Sequence, residues 1–122
     1  ACQVEHAMIS QDDQAVFHPA GSVLDGSKYQ AGGTPVTVPA KPINVVLKEN
    51  PWADTLIMDI EGAEQDVFLS PQSDLPGIRL IIVEMHEGII GAEALQRITD
   101  RLEQLGFRRV DVAGQVEAWR RD

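Results

Sequence analysis

The chain has 122 residues, of which 43% are hydrophobic, and this is enough for the core of one small domain. Acidic residues outnumber basic ones by 19 to 10, giving a formal net charge of −9. This balance excludes a nucleic-acid partner, because a phosphate backbone requires a basic face. No segment approaches the roughly 20 apolar residues of a membrane span, so we expect no membrane partner. The single cysteine, Cys2, fits a reducing compartment and predicts a cytoplasmic location.

The first third of the chain predicts short strands separated by a loop. Val4–Ile9 is expected to form a first strand, and Ala15–Phe17 a short second one. The Gly, Ser, Asp and Pro content of Ala20–Pro35 indicates a long loop. Val36–Val38 is expected to be an edge strand because prolines flank it, and Asn44–Lys48 to make one or two helical turns.

The most informative segment is Thr55–Glu64, an apolar run that ends in acidic residues around Gly62. Its hydrophobic side chains fall on both alternating faces, which predicts a parallel strand buried on both sides. In open α/β sheets ligands lie beyond the carboxyl ends of the strands, so Asp59 and Glu61 are candidate functional residues. A carboxylate directly after a doubly buried strand is costly unless a charged or hydrogen-bonding group meets it.

A helix is expected to follow this strand. Gly62 permits a tight passage, and Ala63, Val67 and Phe68 fall on one face of the helix. For Glu64 the favoured interpretation is a stabilising charge at the helix N-terminus, with no part in catalysis.

Arg79–His86 repeats the pattern, since a buried-strand run again ends in an acid, Glu84, and a histidine, His86. Adjacent strands lie about 4.8 Å apart. Glu84 and Asp59 are therefore expected to be neighbours, able to share a cation, a hydroxyl or an ammonium group.

The last third predicts a helix and a terminal hairpin. Hydrophobic residues recur at helical spacing from Gly91 to Gly106, and Gly106 supplies the stop. Arg108–Val112 and Val116–Arg120 alternate around a turn, as in an antiparallel hairpin. The arginines of this region are interpreted as the polar tips of edge strands: Arg108, Arg109, Arg120 and Arg121.

Two segments together resemble the paired signature of FkbM-type methyltransferases: LIMDIEGAEQDVFLS, and IRLIIVEMHEG after it. That family usually reads Asp-(Val/Ile)-Glu-Gly-x-Glu and then an apolar strand ending in Glu-x-His. The segments VEHAMISQDDQAVFHPAGS and VTVPAKPINVVLKEN also resemble it, although Ile43-Asn44 replace the customary Leu-Asp. The resemblance covers nearly the whole chain.

The resemblance implies an α/β fold, a partial Rossmann-like class I methyltransferase sheet with parallel central strands and a terminal antiparallel hairpin. It implies S-adenosylmethionine as cofactor and a small molecule or sugar with a hydroxyl group as methyl acceptor. Asp59, Glu84 and His86 are then the candidate catalytic residues, and His86 suits a general base near neutral pH. Asp59 and Glu61 are candidate cofactor contacts, and Ala7 and Met8 resemble the family's adenine-side step.

One expected element of such enzymes is missing from the sequence. A glycine-rich cofactor loop lies between a buried strand and a helix. The glycines of the first third of the chain lie instead in a polar segment, so they do not form such a loop: Gly21, Gly26, Gly32 and Gly33. With Ala1 where an initiator Met would stand, residues 1–122 are expected to form a single domain, the C-terminal part of a methyltransferase domain without its first strands.

Two alternatives remain open. The chain could be a non-catalytic subdomain or interaction module that kept the fold and lost the cofactor half. It could instead be a metal-dependent hydrolase using Asp59, Glu61, Glu84 and His86, although their spacing matches no dedicated metal motif, and no metal site is predicted. An exposed sheet edge would also allow a second copy to pair.

The missing glycine loop generates a first prediction. The 122-residue chain alone should bind S-adenosylmethionine weakly or not at all. Calorimetric titration tests this, and micromolar binding by the isolated chain would show that the cofactor site has been misplaced.

Overall fold

A computed structural model describes residues 2–18 and 34–122 of the chain. The described part contains seven strands and four helices. In chain order they are β1 (Met8–Ile9), β2 (Gln14–Phe17), β3 (Val36–Lys41), α1 (Ile43–Glu49), β4 (Thr55–Met58), α2 (Glu64–Phe68), β5 (Leu80–Glu84), α3 (Glu87–Ile90), α4 (Ala92–Gln104), β6 (Arg108–Ala113) and β7 (Val116–Arg120).

The main sheet has four strands in the order β4-β5-β7-β6. β4 and β5 are parallel, with Leu56 opposite Ile81 and Met58 opposite Val83. The helix between them, α2, provides the crossover that parallel neighbours need. β7 runs antiparallel to β5 and pairs with β6 in a terminal hairpin. The predicted parallel central strands and the terminal antiparallel hairpin are therefore confirmed.

The described helices bury one face of this sheet. Met58, Ile81, Val83 and Trp119 alternate onto that face and share a buried cluster with residues of three helices: Ile43 and Leu47 of α1, Val67 and Phe68 of α2, and Ile98 and Leu102 of α4. Each aliphatic or aromatic side chain withdrawn from water in such a cluster contributes about 1.5 to 3 kcal/mol.

The opposite face of the sheet is open in the described part of the chain. Ile57 is 74% exposed and Val116 is 38% exposed. The prediction that β4 is buried on both faces is therefore wrong for the described residues. The apolar residues of Thr55–Met58 do alternate, but only Leu56 and Met58 face the helices. Among the described strands β4 is also an edge, since β5 is its only neighbour.

The second sheet has three strands in the order β1-β3-β2. The predicted edge position of β3 is wrong, because β3 lies between the other two strands. Pro39 lies opposite Gln14 of β2, but the N–H of the next residue, Ala40, is the one that donates toward β2, to the carbonyl of Asp13 at 2.9 Å. The nitrogen of Pro39 is therefore directed to the other side, where β1 pairs only with Ala40 and Lys41 and no hydrogen bond is lost. The predicted first strand is shorter than expected and includes only Met8–Ile9.

The predicted helix of the last third is confirmed as α4. Gly106 follows it with φ +86°, the left-handed conformation expected of a C-terminal glycine. The short helix predicted before Pro51 is confirmed as α1. Most of the predicted loop Ala20–Pro35 lies outside the described residues. No helix in the described ranges is long and apolar enough to cross a membrane.

Arg121 is not the polar strand tip that the sequence indicated. Its guanidinium donates hydrogen bonds to three main-chain carbonyls: from Nε to Ile78 at 2.8 Å, from Nη1 to Leu105 at 3.0 Å, and from Nη2 to Leu75. It also lies 4.4 Å from the centroid of the Phe107 ring. This side chain ties the chain end to the loop before β5 and to the end of α4.

Replacing Arg121 by Ala should lower the free energy of unfolding by about 2 to 4 kcal/mol, because three carbonyls lose a charged donor. Urea unfolding measures the change. Arg120→Ala is the matched control, since Arg120 is exposed and its replacement should cost about 0.5 kcal/mol or less. Equal effects of the two substitutions would contradict the assignment.

Candidate active site at the ends of two parallel strands

The candidate site forms where β4 and β5 end. Met58 pairs with Val83, so the residues that follow each strand emerge at the same edge of the sheet. Side-chain atoms of Asp59, Glu84 and His86 all lie within 4.8 Å of one another. The expected proximity of Asp59 and Glu84 is thus observed.

His86 is the centre of this group. It is 8% exposed and lies between β5 and the first turn of α3. Its Nε2 is 3.6 Å from Oδ1 of Asp59 and 3.4 Å from Oε2 of Glu61. Its Nδ1 is hydrogen-bonded to Oε1 of Glu64. One imidazole therefore contacts three carboxylates, two through Nε2 and one through Nδ1.

The loop between β4 and α2 sets this geometry. Glu61 has φ +49° and Gly62 has φ +100°, so two successive residues adopt left-handed backbone conformations. Such a conformation is rare for a residue with a side chain and is found where the surrounding structure holds it in place. The tight passage predicted at Gly62 is confirmed. The backbone N–H of Gly62 also donates to Oε1 of Glu64 at 3.3 Å.

Glu64 is the residue that the sequence interpretation missed. It does begin α2, but it is 0% exposed and bonded to His86, so a role limited to the helix terminus is wrong. A signal was present in the sequence: Glu64, Val67 and Phe68 are spaced i, i+3 and i+4. They therefore share one helix face, and that face is the buried one.

The remaining acids are more accessible. The Asp59 side chain is 61% exposed and that of Glu61 is 24% exposed, whereas Glu84 is half-buried. The expectation that Asp59 is a costly carboxylate after a doubly buried strand is therefore wrong, because water reaches Asp59. This exposure also makes Asp59 available to a ligand.

Burial and charge act in opposite directions on His86. Burial lowers the pKa of the imidazole, while the hydrogen bond to Glu64 and the charges of Glu64, Glu61 and Asp59 raise it. The hydrogen bond and the charges together have the larger effect, so the pKa of His86 lies above its ordinary value. In the described structure the three carboxylates therefore favour the protonated form of the imidazole, which can form ion pairs with them.

The two residues predicted to contact adenine lie elsewhere in the fold. Met8 is in β1 of the three-stranded sheet, and Ala7 directly precedes that strand. Asp59 and Glu84 follow or end strands of the four-stranded sheet. The described geometry thus unites Asp59, Glu61, Glu84 and His86, and adds Glu64.

The sequence profile of the Methyltransferase FkbM domain matches residues 5–109. The chain belongs to the FkbM methyltransferase domain family. Comparisons with curated proteins and with solved structures gave no significant match. The matched range contains every residue of the candidate site, from the acids after β4 to His86, and the family resemblance is confirmed.

The raised pKa of His86 generates a stability prediction for this FkbM domain. A group whose pKa is higher in the folded state stabilises the fold fully below its unfolded pKa, about 6.5 for histidine. This contribution is lost as pH rises through the folded pKa. Thermal unfolding should therefore show wild type losing more stability than His86→Gln as pH increases from about 6.5. Parallel pH profiles of the two proteins would contradict the ion-pair assignment.

Proposed function

We propose that this FkbM domain supports methyl transfer from S-adenosylmethionine to a hydroxyl oxygen of a small molecule or sugar. The observation that carries the proposal is the position of His86 Nε2. This atom lies at the carboxyl ends of two parallel strands beside the accessible carboxylate of Asp59, within a matched methyltransferase domain.

The acidic groups at this site fit the positively charged parts of the cofactor. S-adenosylmethionine supplies an electrophilic methyl group on a positively charged sulfur, and it also carries an ammonium group. Asp59, Glu61 and Glu84 offer carboxylate oxygens, which are suitable partners for such charges. The apolar surface at Ala7 and Met8 is proposed for the adenine side, by family resemblance.

The residues of the chain have distinct parts in the proposed reaction. Asp59, with most of its carboxylate in water, either accepts a hydrogen bond from the acceptor hydroxyl or holds the ammonium group. His86 would accept the hydroxyl proton at Nε2, because only Nε2 faces the accessible acids. A bound cofactor would supply the methyl group through cleavage of its C–S bond, with S-adenosylhomocysteine as the leaving product. Glu84, at the end of β5, adds a third carboxylate to those of Asp59 and Glu61.

The raised pKa of His86 has a consequence for this role. A protonated imidazole cannot accept a proton, so the base is available only in the fraction of molecules in which His86 is neutral. The rate of proton removal should consequently rise with pH until the imidazole has lost its charge.

Asp59→Asn should reduce methyl transfer by about a hundredfold or more, as when a positioning or charge-stabilising contact is lost. The melting temperature should change little, because the Asp59 side chain is 61% exposed. Formation of S-adenosylhomocysteine with a panel of sugars and small alcohols measures the activity of the protein that carries this chain. Thermal unfolding measures the stability.

Asp54→Asn is the matched control. It makes the same chemical change at the residue directly before the start of β4, whereas Asp59 directly follows the end of that strand. Full activity of the Asp59 variant would remove this carboxylate from the mechanism. Wild type that forms no S-adenosylhomocysteine with any acceptor would favour the alternative of a non-catalytic module.

A further inference from the structure

We infer that Glu64 is a positioning residue that fixes the orientation and the tautomer of His86, so that Nε2 is the ring nitrogen presented to the acceptor. The part of this inference that concerns the acceptor rests on the proposed function. The contact between Glu64 and His86 does not.

The burial of Glu64 supports this role. A carboxylate that is 0% exposed is costly unless hydrogen bonds compensate for the lost water. Within residues 2–18 and 34–122, Oε1 of Glu64 is bonded to Nδ1 of His86 and to the N–H of Gly62, whereas Oε2 has no hydrogen-bond partner. The two bonds to Oε1 are therefore the described compensation for burying the charge.

The chemistry of the pair determines the tautomer. An ionised carboxylate only accepts hydrogen bonds, so the Nδ1 atom bonded to Glu64 must carry a proton. In a neutral imidazole the other nitrogen then holds the lone pair. That nitrogen is Nε2, which faces Asp59 and Glu61 at 3.6 and 3.4 Å. The buried carboxylate thus leaves Nε2, the nitrogen beside the exposed carboxylate of Asp59, as the proton acceptor, as in the Asp–His pair of a serine-protease triad.

The other acids around His86 favour a different arrangement. Asp59 and Glu61 approach Nε2, and Glu84 lies in the same cluster. Any of these carboxylates could accept a hydrogen bond from a protonated Nε2. Without Glu64 a neutral His86 is therefore expected to shift its proton to Nε2, and that tautomer cannot act as a base toward the acceptor.

Nuclear magnetic resonance of the 122-residue chain labelled with ¹⁵N-histidine tests the inference without cofactor or acceptor. Long-range proton–nitrogen spectra over a pH series report the tautomer and the pKa of each imidazole. The His86 signals are those that disappear in His86→Gln. At a pH above its pKa, His86 of the wild type should carry its proton on Nδ1.

Three variants separate charge from hydrogen bonding. Glu64→Met has similar size and no acceptor, so the proton should move to Nε2. Glu64→Gln keeps an acceptor oxygen and should retain the Nδ1 tautomer, while the pKa of His86 falls by about 1 to 3 units. Glu61→Gln, the control, should also lower the pKa but leave the proton on Nδ1.

The inference is wrong if neutral His86 of the wild type carries its proton on Nε2. It is also wrong if folded Glu64→Met keeps the tautomer of the wild type. If Glu64→Met does not fold, the tautomer and pKa of His86 in wild type and Glu64→Gln decide: both proteins should carry the proton on Nδ1, and the pKa should be lower in Glu64→Gln. In the methyl-transfer assay, Glu64→Met should lower kcat by about a hundredfold and change KM for S-adenosylmethionine little. The expected tautomers together with full activity of His86→Gln would confirm the contact between Glu64 and His86 and refute only the proposed role of His86 as the base.

Discussion

The parallel pairing of β4 with β5 is the constraint on which the candidate site depends. Asp59 follows one strand and Glu84 ends the other, so Asp59 would not lie near Glu84 and His86 if the two strands were antiparallel or separated by a third. The register sets the approach, since Met58 opposite Val83 brings the next residues to one edge. The buried cluster that includes Ile81, Trp119 and Phe68 stabilises this register, because a slip by one residue would expose every side chain now facing the helices.

The candidate site also depends on the acidic loop after β4, because this loop places the buried carboxylate of Glu64 beside His86. The left-handed backbone at Glu61 and Gly62 turns the chain back within two residues and allows Glu64 to enter the core face of α2. The conformational cost at Glu61 is of the order of 1 to 3 kcal/mol. The hydrogen bonds of Glu64 to Gly62 and His86 offset both this cost and the loss of hydration.

The sequence predicted parallel central strands, helix α4, the terminal hairpin and the meeting of Asp59 with Glu84. These features follow from hydrophobic periodicity, from turn residues and from the convergence of adjacent parallel strand ends at one edge of a sheet. The sequence did not predict the role of Glu64, since a glutamate at a helix start has a sufficient local explanation. The exposure of Ile57 was also missed, because a run of apolar residues does not reveal which face the helices cover. Arg121 was misinterpreted for a related reason: its partners are main-chain carbonyls at distant positions, which no side-chain pattern encodes.

A raised pKa at His86 and a role as general base are compatible when the charges at the site are considered together. The carboxylates that favour the imidazolium before reaction would, in the proposed reaction, also stabilise the imidazolium formed when His86 accepts a proton. A positive charge bound among Asp59, Glu61 and Glu84 would offset their negative potential and lower the pKa of His86. Occupation of the site by a cationic cofactor would thus convert His86 from an ion-pair partner into a base. In the proposed mechanism the acidic cluster would therefore link binding of the cofactor to deprotonation of Nε2, and Glu64 would keep the proton on Nδ1.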